Sequence, residues 1–124
     1  MVSFTDHDLR VKNYFVAWER YDIDLLKKIF SPNAHYVIKN KCVYCGIDEI
    51  TDYWLRNRKR QENLELKWNI LKSEKSKDIV RFYATFWDSE EFMYNIINGE
   101  ITFKFNYENV IILLSEFYNK EQFS

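Results

Sequence analysis

Leu64-Glu65-Leu66-Lys67-Trp68-Asn69-Ile70 alternates apolar and polar residues at every step. Side chains of an extended strand point to opposite faces in turn, so the run predicts a half-buried antiparallel strand with Leu64, Leu66, Trp68 and Ile70 on one side. Upstream of it, apolar residues recur every three or four positions instead. That change of period predicts helices first and strands afterwards, an α+β chain.

Working back toward the N-terminus, Thr5 followed by Asp8 resembles a capping box, and Val11, Tyr14, Phe15, Trp18 and Tyr21 then lie on one helical face. A second helix, capped by Asp22 or Asp24, carries Leu25, Leu26, Ile29 and Phe30, and Ser31-Pro32 stops it. A short strand from Ala34 to Ile38 sets Ala34, Tyr36 and Ile38 against His35 and Val37. A third helix starts near Gly46 to Asp48 and aligns Ile47, Ile50 and Trp54. It ends in Arg56-Asn57-Arg58-Lys59-Arg60, where cations complement the helix macrodipole.

Working forward, Glu74 to Asp78 reads as a charged turn. Ile79 to Trp87 is apolar on both faces, with Val80, Phe82, Ala84 and Phe86 on one and Ile79, Tyr83 and Trp87 on the other, as in a central or covered strand. Asn98-Gly99 fits either a two-residue hairpin turn or a glycine bulge in one long bent strand. The bulge is preferred, because a strongly curved sheet wrapped around helices is built with bulges. Ile101, Phe103 and Phe105 alternate with Thr102 and Lys104, Tyr107-Glu108-Asn109 turns the chain, and a last strand runs from Val110 to Tyr118. The expected architecture is a curved antiparallel sheet closing over three N-terminal helices around a conical interior.

With 124 residues the chain forms one domain, 1–124. Two Gly and one Pro exclude flexible linkers and low-complexity tails, and 19% aromatic residues exclude disorder. A formal charge of -1 lacks the basic excess of a general nucleic-acid binder. No apolar run reaches the roughly 18 residues of a membrane span, and Met1 to Lys12 lacks the apolar block of a signal peptide, so a cytoplasmic protein is expected. Cys42-Val43-Tyr44-Cys45 has no second pair of ligands for a structural zinc, and in an extended segment its thiols point to opposite faces. Two ordinary thiols are the first reading, with redox or metal chemistry as the others. No Ser-His-Asp set, phosphate loop, dinucleotide fingerprint or metal motif can be assembled, so neither cofactor nor metal is expected.

Several of these segments together resemble a known family. Tyr14-Phe15-Val16-Ala17-Trp18, Asp22 to Phe30, Ser31-Pro32-Asn33-Ala34-His35-Tyr36, Tyr44-Cys45-Gly46 and Ile50-Thr51-Asp52-Tyr53-Trp54, in that order, are similar to the nuclear transport factor 2-like superfamily and within it to small SnoaL-like domains. Asn98-Gly99, Phe103-Lys104-Phe105 and Val110-Ile111 resemble the bent strand, turn and final strand of the same family. The resemblance implies a cone-shaped α+β barrel, a pocket at its open end and a homodimer formed through the sheet. It does not by itself give a reaction, since the superfamily holds isomerases, cyclases, dehydratases and binding modules. Its ketosteroid isomerases place an Asp base near the position of Ile38, and isoleucine cannot move a proton. Its cyclases use an acid on the last strand, the region of Glu116.

Glu116 shares strand parity with Val110, Ile112, Leu114 and Tyr118. On an interior face it is a carboxyl carried into an apolar pocket, where burial raises its pKa toward that of a general acid or base; beyond the core it is a rim residue paired with Arg or Lys. His35 is either a surface residue or a proton shuttle beside Tyr36. Asp88 either opens the Asp88-Ser89-Glu90-Glu91 turn or faces a ligand at the barrel mouth. Tyr14, Trp18, Tyr36, Tyr53, Trp54, Trp87 and Phe103 are the candidate pocket lining, apolar bodies with a few polar tips. The function expected is binding of a small apolar or aromatic molecule, with or without proton transfer; the alternative is a structural dimer module whose cone is filled by side chains.

Overall fold

The computed structural model describes residues 6–124, with side chains described from Asp8 onward. The Thr5 cap lies outside the described residues. Helix α1 (Asp6–Arg20) and helix α2 (Ile23–Ile29) lead into β1 (Phe30–Ile38) and β2 (Cys42–Cys45). Helix α3 (Gly46–Arg58) follows, and then β3 (Gln61–Ser73), β4 (Lys77–Asp88), β5 (Met93–Phe105) and β6 (Ile111–Phe123). Among the described residues no helix is long and apolar enough to cross a membrane.

The six strands form one sheet in the order β2-β1-β6-β5-β4-β3. Every ladder is antiparallel except β1 with β6, which is parallel. The expected all-antiparallel sheet is thus corrected to a mixed one. Alternation reports which face of a strand is buried and carries no information on its neighbour's direction.

Local chemistry explains the helices. Val11, Tyr14, Phe15 and Trp18 are buried along one face of α1, the stripe that an amphipathic helix turns to a core. Tyr21 ends it in the left-handed region at φ 48°. Asp22 then caps α2, its Oδ1 accepting from the Leu25 N–H at 3.1 Å. Helix α2 stops one residue before Phe30, which already belongs to β1. Ser31-Pro32 therefore sits within the strand, where the β1–β6 register shifts between Phe30 and His35; proline has no N–H to offer a ladder. Gly46 opens α3 at φ 85°, a conformation that favours glycine, and Glu49 reaches back to accept from the Cys45 N–H at 3.1 Å.

The expected parities hold across most of the sheet. Ala34, Tyr36 and Ile38 are buried, as are Val80, Phe82, Ala84 and Phe86. Edge strand β3 is half-covered, and Trp68 stacks on Phe15 at 4.7 Å with 7° between the rings. Strand β5 runs unbroken through Gly99, pairing with Phe82 on one side and Tyr118 on the other without a shift. The long strand is as expected and the bulge is not. Glycine is needed there because a Cβ would overlap the Phe117 carbonyl oxygen and lie 2.7 Å from the Tyr118 Cα. The register shift in this ladder falls instead between Lys104 and Phe105, so Ile111 and Leu114 are buried while Ile112 is exposed.

Asp78 was expected in a turn, but it lies in β4 and is fully buried. Arg10 of α1 holds it through Nε to Oδ2 at 2.8 Å and Nη2 to Oδ1 at 2.9 Å. The same guanidinium donates to the Glu74 and Lys75 carbonyls at 2.9 and 3.0 Å and to Asn109 Oδ1 at 2.8 Å. It lies 3.9 Å from the centroid of the Phe105 ring. One buried cation thereby joins α1 to the β3–β4 and β5–β6 turns, and its carboxylate partner keeps it from being an unpaired buried charge.

Candidate functional site

At the opposite end of β4 from Asp78, a cavity of about 230 Å³ opens between the helices and the sheet. Helix α1 supplies Tyr14 and Trp18, β1 supplies Tyr36 and Ile38, and α3 supplies Tyr53, Trp54 and Asn57. Strand β4 contributes Phe86 and Asp88, and β6 contributes Glu116, Tyr118 and Lys120. The inward parity of β6 after its shift gives Leu114 to the core and Glu116 to the cavity wall.

Glu116 is 4% exposed. Burial pushes its carboxyl up from the ordinary 4.5 to about 7, against the pull of a hydrogen bond from Tyr36 and of the Lys41 charge. Tyr36 is also joined hydroxyl to hydroxyl with Tyr14 at 3.0 Å. Burial, and then the charge of Glu116, raise Tyr14, Tyr36 and Tyr53 well above 10, so all three are neutral phenols. The result is a carboxyl poised near neutrality at the end of a chain of O–H groups.

Asp88 is tuned the other way. Burial alone would raise it, but the hydrogen bond from Arg60 and those from the Glu91 and Glu90 N–H groups outweigh that and hold it below its ordinary value. Arg60 Nη2 lies 2.7 Å from Asp88 Oδ2, and the two N–H groups reach Oδ1 at 2.9 and 3.1 Å. Asp88 thus both ends β4 as a turn cap and faces the cavity. Two carboxyls held apart in pKa within one cavity are the arrangement from which acid and base roles are drawn. Here Asp88 is occupied by its donors, and Glu116 is the group free to change protonation.

Glu116, Asp88, Tyr14, Trp18, Tyr36, Tyr53 and Trp54 therefore meet at one cavity. Three expected residues do not. His35 is exposed, on the face of β1 opposite Tyr36; one step along a strand reverses the side chain, so it cannot shuttle protons inside. Trp87 has the same relation to Asp88, half-buried on the outer side of β4. Phe103 is fully buried against Tyr14, with ring centroids 5.0 Å apart, and fills the core beneath the cavity. Cys42 lines the cavity and Cys45 is exposed, both as free thiols. Among the described residues no three His, Cys, Asp or Glu side chains converge on one point.

Sequence reading missed Lys41, Asn57, Arg60, Gln61, Tyr118 and Lys120, all of which line the cavity. Arg60 looked like the end of a helical basic run, yet α3 stops at Arg58 and the chain turns Arg60 toward Asp88. Gln61 pairs with Asp88 across the β3–β4 ladder and its Oε1 accepts from Trp18 Nε1 at 3.2 Å and from the Tyr21 hydroxyl. An antiparallel pairing of the strands on either side of the charged turn at 74–78 was the signal that could have brought 60 and 61 to 88.

By sequence the chain matches no family model and no curated protein. Its structure is similar to an NTF2-like protein of unknown function from Burkholderia pseudomallei, with a TM-score of 0.80, 10% identity, and 94% of this chain and 92% of that one covered. It is similar to a protein from Jannaschia sp. described as a SnoaL-like polyketide cyclase (TM-score 0.77, 10% identity, 96% and 92% covered). A third similar structure is an epoxide hydrolase/cyclase-like enzyme of pyran ring formation in the polyether salinomycin (TM-score 0.75, 16% identity, 92% and 93% covered). At such identities the likeness shows the fold, which is nuclear transport factor 2-like, as the resemblance implied.

Proposed function

We propose that this nuclear transport factor 2-like chain takes a small, largely apolar or aromatic carbonyl compound into its cone and moves a proton on it. The observation that carries the reading is Glu116, a carboxyl buried in an aromatic cavity wall and raised to about 7. An ionised Glu116 accepts a proton from the carbon beside the carbonyl; the electron pair of that C–H bond forms a C=C bond while the C=O π pair moves onto the oxygen, and the protonated Glu116 returns the proton at the end of the rearrangement. Tyr14, Tyr36 and Tyr53 are kept neutral by burial; the Tyr14 and Tyr36 hydroxyls are engaged in the chain that ends on Glu116, and Tyr53 keeps its O–H as donor for a developing enolate oxygen. Similar structures that include cyclase-like enzymes support proton transfer as the reaction class.

The test is Glu116→Gln. Turnover of a carbonyl substrate, or exchange of its α-hydrogen with deuterated water, should be abolished while ligand affinity stays roughly as it was. Native mass spectrometry of the purified protein reports a retained ligand independently of turnover. Unchanged exchange in the variant removes Glu116 from the mechanism. The filled-cone alternative is disfavoured by the open volume and by an ionisable group inside it.

A homodimer through the sheet is a second proposal, supported by Tyr83, Tyr94 and Phe117, which are exposed on the outer faces of β4, β5 and β6. Light scattering tests it: a monomer mass at micromolar concentration rejects the dimer. A cytoplasmic setting stays a proposal that rests on sequence composition.

A further inference from the structure

The charges around the cavity mouth are unevenly matched. On one side Arg60 is met by Asp88 at 2.7 Å, Glu91 at 3.1 Å and Glu90 at 3.4 Å, so that cation is saturated with carboxylates. On the other side stand Lys41, in the turn between β1 and β2, and Lys120 of β6. Among the described residues no carboxylate forms a salt bridge with either of them, although the Lys41 charge is felt by Glu116. Lys41 Nζ instead donates to the Tyr118 hydroxyl at 2.7 Å and lies 4.3 Å from the centroid of that ring. Tyr118 and Lys120 are two residues apart in one strand, so they project to the same face as Glu116. The Tyr118 oxygen already accepts from an ammonium, which leaves its own O–H directed elsewhere.

We propose that Lys41, Lys120 and the Tyr118 hydroxyl form an anion subsite at this side of the mouth, and that the molecule bound in the cone is a small aromatic or apolar compound bearing a carboxylate. The proposal deepens the reading of the cavity as a ligand site and rests on it. The two ammonium groups supply charge, the phenol supplies a donor of fixed position, and the aromatic walls beyond them take the apolar body. The asymmetry also fixes orientation. A carboxylate is repelled from the acid-saturated Arg60 side and from the depth of the cavity where Glu116 lies, so the anionic end stays at the Lys41 side and the other end reaches Glu116.

Isothermal titration of the full chain with 2-naphthoate and with its neutral isostere 2-naphthamide tests this. The carboxylate should bind about tenfold more tightly, the gain from a charge-assisted pair at a partly exposed site. In a Lys41→Met, Lys120→Met variant the preference for the carboxylate over the amide should disappear. Both substitutions are at exposed positions outside the core, and a circular dichroism melt confirms that the variant folds. Equal binding of the probes to the wild type, or a preference that survives in the variant, overturns the anion subsite and leaves the ligand cavity standing. Failure of both probes to bind the wild type overturns the cavity reading and this proposal with it.

Discussion

Ile38 and Glu116 are register partners across the parallel ladder of β1 and β6. Both side chains enter the same cavity. The family resemblance implied that an isomerase of this fold would carry an Asp near Ile38, and the neighbouring strand, roughly 4.8 Å away, carries a carboxyl instead. A missing acid on one strand is thus compatible with an acid in the same part of the cone.

Glu116 makes stability depend on pH in a defined direction. Its carboxyl ionises near 4.5 in the unfolded chain and near 7 in the folded one, so between those values the folded state holds more protons. The stability it contributes is full below 4.5 and is lost as the pH rises to about 7, a difference of about 3 kcal/mol. Glu116→Gln should remove that loss and melt above the wild type at pH 8, though not at pH 4.5. Melting curves from pH 4.5 to 8 that run parallel for the two proteins would contradict the buried carboxyl.

Tyr36 lowers the Glu116 pKa through its hydrogen bond, and Lys41 lowers it through its charge. Tyr36→Phe and Lys41→Met should each move the midpoint upward, and Tyr36→Phe by the larger amount. Carbon-13 NMR of the labelled glutamate carboxyls follows the titration directly. A downward movement in either variant rules out the hydrogen-bonded arrangement.

Gly99→Ala should be severely destabilising. The added methyl would strike the Phe117 carbonyl and come within 2.8 Å of the Tyr118 Cβ, so two central strands must separate. A loss of about 3 kcal/mol or more is expected, at the upper end of overpacking costs. Chemical denaturation measures it, and a change under 1 kcal/mol (roughly the scale of a tolerated core swap) would show that β5 and β6 are not so closely apposed.

Arg10 and Asp78 should behave as a coupled pair. Asp78→Asn removes the buried carboxylate that the Arg10 guanidinium grips through two hydrogen bonds and should cost about 3 kcal/mol. Combining Asp78→Asn with Arg10→Met removes both charges and should cost clearly less than the sum of the single changes. Strict additivity in urea denaturation is the outcome that defeats the coupling.

Much of the fold was readable because hydrophobic period reports burial. The stripe of Val11, Tyr14, Phe15 and Trp18, the inward set Ala34, Tyr36 and Ile38, and the inward set from Val80 to Phe86 all follow from spacing alone. For Glu116 the spacing left an interior face and a rim position both open; the structure buries it, although Val110 and Ile112 shared its parity only on paper, since the shift beside Phe105 turns Ile112 outward. Trp87 shows the opposite limit. A strand apolar on both faces does not announce which side is the core, and aromatic character favoured the wrong one. Asp78 and Arg60 were misplaced because each is explained by a partner distant in sequence, Arg10 for one and Asp88 for the other. Local pattern carries no trace of such pairs, and the mouth cations Lys41 and Lys120 went unnoticed for the same reason.

Strand β6 comes last in chain order yet lies third in the sheet, between β1 and β5. Tyr36 gains its ladder partner Leu114, and the carboxyl that defines the cavity, only when this strand docks. The helices and first strands must therefore wait with an open edge while the whole intervening chain is made and paired, a long loop to close before the contact repays it. Folding of this domain should accordingly be slow and nearly all-or-none at its final step, and a chain cut before β6 would lose the seam of the sheet together with the carboxyl on which the proposed chemistry depends.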